Sequence, residues 1–138
     1  MKNIRVYQCE DSIESIFTAI YDAWSSRYGH DFNRIDVIID QENSGNLELF
    51  SEYITVTTDI EKATKVAKSV KEKISLEAYD MVCNGALSDQ RDKGDIIYRF
   101  LILGFYMGGK VVHHLGNGHV MKLYELNRNV SNEVHHYL

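Results

Sequence analysis

The chain has 138 residues, 44% of them hydrophobic and 25% charged, with two cysteines and no proline. Length and composition predict one globular domain with its own core and exclude a disordered chain or a proline-rich linker, since average usage would supply about seven prolines. A net charge of −5, if spread uniformly, disfavours a protein that coats DNA without specificity, because a negative surface repels phosphates.

Ile4-Arg5-Val6-Tyr7 alternates and is rich in β-branched and aromatic residues, so a strand is predicted over Ile4–Tyr7. Asp11 and Glu14 have capping-box spacing, and Ile13, Ile16, Phe17, Ile20 and Trp24 follow at helical intervals. The reading is a helix from about Ser12 to Arg27, stopped by Gly29. The apolar run within Asp36–Asp40 predicts a second strand, Val37–Ile39, and Asn43 to Asn46 is turn chemistry. Tyr53–Thr57 is the clearest strand.

From Asp59 the period changes. Ile60, Ala63, Val66, Ala67, Val70 and Ile74 share one helical face, opposite Lys62, Lys65, Lys68, Lys71 and Lys73. Ser75 then caps a short helix to about Leu87, and Ser88 to Asp95 is a polar connector. Ile96–Met107 is strongly apolar and is expected to be the central helix. Gly108-Gly109 ends it, Lys110 to Leu115 forms a short turn, and Gly116 to Gly118 breaks again. The last helix carries Val120, Leu123, Tyr124, Asn127, Val130 and Val134 on one face. The fold class is therefore α+β, predominantly helical, with a small three-stranded sheet from the N-terminal part.

Two cysteines exclude a three-cysteine cluster ligand set and a four-thiolate zinc site. Cys9 and Cys83 read as buried small hydrophobes rather than nucleophiles. Met1 to Cys9 lacks the apolar stretch of a signal peptide, and no run approaches the ~20 apolar residues of a membrane span. The expectation is a cytoplasmic protein without a membrane, metal or cofactor. His113, His114, His119, His135 and His136 lack metal-ligand spacing, because adjacent helical residues point about 100° apart. The charge is uneven: residues 1–60 hold 4 basic and 11 acidic side chains, and the remainder 11 basic and 9 acidic. The lysine face of 59–74 reads as a solvated helix flank, since no aromatic residues are interleaved with it for base stacking.

Arg128, Asn132 and His135 fall at i, i+4, i+7, with Glu133 beside them. Arginine near histidine can hold an anion, and a glutamate can orient either. The plainer alternative is a polar network on a helix flank. The run Arg128-Asn129-Val130-Ser131-Asn132-Glu133-Val134-His135 resembles the R-x-V-x-x-E-x-H signature of a bacterial domain family of unknown function assigned to DNA metabolism. Ile13–Trp24, Thr58–Val66, Ala86–Ser88 and Tyr98–Phe105 agree with that family in order.

The resemblance implies a setting in DNA repair or modification. Members are encoded beside a radical-SAM protein, and a related domain precedes some uracil-DNA glycosylases. Members continue beyond the histidine, so residues 1–138 are expected to be a single domain forming the N-terminal part of a longer architecture. The implied role is an accessory domain that binds the radical-SAM partner, DNA through the more basic C-terminal part, or both, with Arg128, Asn132, Glu133 and His135 as the contact residues. The alternative is an enzyme, hydrolase or glycosylase-like, whose site these residues share with a further C-terminal region.

Overall fold

A computed structural model describes residues 2–39 and 50–136, with side chains through Ser131. The chain is α+β and mostly helical, and its three strands all come from the first part. It divides into two compact units, Met1–Val66 and Ala67–Leu138.

The first unit contains β1 (Ile4–Cys9), α1 (Ile13–Ser25), a 3₁₀ turn at His30–Phe32, β2 (Asn33–Val37), β3 (Ser51–Thr55) and the start of α2 (Ile60–Lys73). The sheet order is β2-β1-β3, and both pairings are parallel. Parallel neighbours cannot be joined by a hairpin. The connection from β1 to β2 is α1, which packs on both strands. The register sets Tyr7 beside Ile35 and Cys9 beside Val37, and all four are buried.

The second strand corrects the reading of Val37–Ile39. It starts four residues earlier, at Asn33, and ends at Val37. The buried set is Asn33, Ile35 and Val37, a period of two that begins on a polar residue, whereas Ile39 is exposed. Burial of Asn33 is tolerated because its Nδ2 donates to the Ala23 carbonyl at 3.2 Å. β3 likewise begins and ends two residues before the expected Tyr53–Thr57. The predicted turn at Asn43 to Asn46 lies outside the described residues.

Ser12, not Asp11, caps α1: its Oγ accepts from the Ser15 N–H at 3.1 Å, and Ser15 Oγ accepts from the Glu10 N–H at 2.9 Å. Buried Thr18 ties α1 to the start of α2, since its Oγ1 accepts from the Asp59 N–H at 3.1 Å and donates to the Glu14 carbonyl at 2.7 Å. Lys62 reaches Asp22 at 2.8 Å. The helix stops at Ser25, before the expected Arg27 and Gly29. Arg27 there adopts φ +53°, the left-handed conformation that glycine fills at low cost. Arg27→Gly is accordingly expected to raise the unfolding free energy by about 1 kcal/mol, read by urea denaturation; a lower midpoint would contradict this account.

The second unit holds the end of α2, α3 (Leu76–Gly85), α4 (Lys93–Met107), a 3₁₀ segment at Gly108–His113, and α5 (Gly118–His136). Ser75 caps α3 as its sequence predicts, accepting from the Ala78 N–H at 3.0 Å. α4 is the expected central helix, with Ile97, Tyr98, Phe100 and Leu101 fully buried. The stretch Lys93–His113 is longer and more apolar than the sequence reading allowed, enough to cross a membrane by length and composition. A helix buried in a protein core, apolar nearly all round, passes the same test.

α4 begins three residues before the expected Ile96. Lys93, only 1% exposed, extends its Nζ to the carbonyls of Ala86 at 2.7 Å and Ser88 at 2.6 Å, just past the end of α3. Gly104 allows a close approach: a Cβ there would stand 2.6 Å from Ile74 Cδ1. Gly108 ends α4 at φ +74°. α5 closes the unit against α3 and α4 with Val120, Leu123, Leu126 and Val130 buried. Two wheel assignments are corrected: Ile60, at the first position of α2, is 62% exposed, and Trp24, near the end of α1, is exposed as well; Leu76, at the first position of α3, is likewise 62% exposed. Leu87 lies past the end of α3 and is exposed too.

Candidate nucleic-acid interface

The residues singled out at the C-terminus are carried by α5. One side of this helix is committed to the core, and Asn127 is drawn into it. Its Nδ2 donates to the carbonyls of Met81 at 2.9 Å and Leu123 at 3.0 Å, while its Oδ1 accepts from Asn84 Nδ2 at 2.9 Å. That hydrogen-bonded clasp joins α3 to α5. Arg128, the next residue, is exposed. The backbone of α5 remains helical through His136. The side chains of Asn132, Glu133 and His135 lie outside the described residues, and so does the hydrolytic or glycosylase-like constellation they would build.

The lysines of α2 are largely engaged with neighbours. Lys62 is held by Asp22, which keeps its ammonium above the ordinary lysine value through a hydrogen bond and charge attraction. Lys65 stands 5.9 Å from the Tyr21 ring, Lys71 lies 4.3 Å over Tyr79, and Lys68 faces Glu72 at 4.0 Å. This is the solvated flank that the spacing predicts. His113, His114 and His119 are exposed, and no group of three His, Cys, Asp or Glu among the described residues is placed to hold a metal ion. Cys9 is buried and Cys83 half-buried, and neither is in a disulfide.

A second cluster, in the first unit, follows from no motif in the sequence. The start of β1 and the segment from the end of α1 into β2 converge at the amino-terminal edge of the sheet. Lys2 Nζ lies 4.3 Å from the Tyr28 ring centre and 5.1 Å from that of Phe32, and it also donates to the Tyr28 carbonyl. The Arg5 guanidinium stacks 3.8 Å from the Tyr28 ring. Tyr28 Oη is anchored by donating to the Asn3 carbonyl at 2.5 Å. Tyr28 meets Phe32 edge to face, and Trp24 meets His30 with ring centres 4.4 Å apart. Arg34 Nη1 donates to the carbonyls of Asp31 and Asn33, each at 2.9 Å. Burial lowers the Arg5 pKa, but hydrogen bonds, chiefly from Glu52 at 3.3 Å, outweigh that and hold it above the ordinary arginine value.

One signal for this cluster does exist in the sequence. Lys2, Arg5, Arg27 and Arg34 are all the basic residues of the first 60, and the aromatics Trp24, Tyr28 and Phe32 recur every four residues. Only the parallel register, which aligns Arg5 with both Asn33 and Glu52, brings the start of β1 to that segment. No family model, curated protein or solved structure matches the chain.

Proposed function

We propose that the chain is an accessory module of DNA metabolism that binds nucleic acid, a radical-SAM protein, or both, through α5. The observation that carries this reading is the exposure of Arg128 at the head of the signature run, on a helix whose opposite side is consumed by the core. An arginine so placed can contact a phosphate without unpacking the helix. The ordered resemblance of the remaining stretches supports the DNA setting.

Anisotropy with labelled duplex and single-stranded DNA tests the nucleic-acid arm. Binding should weaken with salt, and Arg128→Ala should weaken it by about three- to tenfold while reducing the salt slope by about one. Co-purification with a radical-SAM protein, with and without nuclease, tests the docking arm. Absence of salt-sensitive binding together with absence of nuclease-resistant co-purification defeats the reading.

A further inference from the structure

The geometry points to a second binding site, for single-stranded nucleic acid, at the amino-terminal edge of the sheet. Lys2, Arg5, Arg27 and Arg34 would meet the phosphates there, and Trp24 and Phe32 would stack on unpaired bases. This inference stands on different residues from the reading of α5 and does not depend on it.

Three observations converge. The first is charge sorting along the strand direction. Lys2, Arg5, Arg27 and Arg34, every lysine and arginine of the first 60, belong to this edge or to the turn leading into it and outnumber the Asp31 and Glu52 carboxylates there, while Glu10, Asp11, Glu14 and Asp59 follow the opposite ends of β1 and β3. A polyanion approaching the unit is repelled at one end and attracted at the other. The −5 of the whole chain therefore does not weigh against binding at this edge.

The second is exposed aromatic surface. Trp24 is 37% and Phe32 36% exposed, so each side chain presents part of its surface to solvent beside the cations. Tyr28 already meets two cations and is anchored by its hydroxyl, so it serves as the post on which Lys2 and Arg5 are held. Cations fixed beside partly exposed rings are the two components of single-strand recognition, a phosphate track and a stacking platform. Paired bases do not offer their faces to a ring, so the ligand is single-stranded.

The third is conformational. Arg27 is exposed and takes the left-handed conformation directly after α1, at a position where glycine is preferred. A costly side chain kept at such a turn is a pointer to use. Here the turn is closed by the Arg27 N–H donating to the Trp24 carbonyl at 3.3 Å, so a fourth cationic residue follows α1 three positions after Trp24.

Trp24 is the only tryptophan in the chain, so its emission reports this site alone. Titration of the whole chain with an oligothymidylate of about 20 nucleotides should quench Trp24 fluorescence. Added salt should reverse the quenching with a slope of about −2 to −3, as three to four phosphate contacts require. A duplex of equal length should bind about tenfold more weakly or worse. Trp24→Leu should reduce the affinity for the oligothymidylate, measured by anisotropy, about ten- to hundredfold. Arg27→Glu, at an exposed position, should reduce it about five- to tenfold with an unchanged circular dichroism spectrum.

Absence of quenching, equal or tighter duplex binding, or full affinity in both variants overturns the proposal. Binding lost in Arg128→Ala but retained in the Trp24 and Arg27 variants also overturns it, and leaves the reading of α5 standing. The converse result upholds this site and removes that one.

Discussion

Replacement of Lys93 by methionine is expected to lower the unfolding free energy by about 3 kcal/mol, seen as a fall in the urea midpoint. Methionine fills nearly the same length of side chain, so little packing is lost. What disappears is the donor. The carbonyls of Ala86 and Ser88 sit where α3 has run out of its own hydrogen bonds, and both residues are buried. Buried carbonyls outside a helix or sheet must still find partners. Here one side chain from the first residue of the next helix supplies both. Each acceptor left unmet costs roughly 1–3 kcal/mol. A midpoint unchanged in Lys93→Met would mean that water replaces the lysine, and that the clip between α3 and α4 is dispensable.

Leu123→Ala is expected to cost about 3–4 kcal/mol, measured by the same denaturation. Leu123 is fully buried on α5, and its Cδ1 would lie 3.1 Å from a Cβ placed at Gly85. Gly85 has no side chain, so α3 cannot easily fill the space the leucine vacates, and the cavity should persist. A cost below about 1 kcal/mol would show that the two helices close the gap. The pair formed by this variant and Arg128→Ala is informative: one should lose stability and the other only binding. Loss of binding in Leu123→Ala at a temperature where the chain is still folded would show that the pose of α5 matters as well as its arginine.

Legibility in the sequence followed whether a residue's partner is local. Ser75 was readable as a cap because its hydrogen bond closes within three residues. The apolar stripe of α5 was readable from its period, and Gly108 as the stop of α4 from its place after an apolar run. Asn33 and Lys93 were not readable. Both are polar residues buried against backbone carbonyls, and those carbonyls become acceptors only once two segments meet. Their polar side chains therefore carry no strand or helix signal, and the sequence pattern places the starts of β2 and α4 too late. Ile60 and Leu76 failed for a different reason: the period continues to the helix end, but the core does not. Of the candidate binding groups, Arg128 was found by pattern and is exposed. The aromatic and cationic edge leaves only a composition signal in the sequence, because Lys2 and Arg5 are 23 to 30 residues from the rings they touch.

The position of β1 has a consequence for how the chain acquires its structure. β1 precedes β2 and β3 in the chain and yet is the middle strand of the sheet, with a parallel partner on each side. It has no hairpin in which to pair early. β2 becomes available only after α1 has been made, and β3 only after a further connection. Parallel sheets built from such separated segments form slowly, because chain closure must be completed before the contacts that reward it. The second unit is made of helices packed mostly on near neighbours in sequence and has no such delay. Refolding from urea should therefore show helical signal returning ahead of Trp24 fluorescence, with the sheet-bearing unit setting the slow phase. An amino-terminal fusion that restrains Ile4–Cys9 should lengthen that phase more than any change at the far end of the chain.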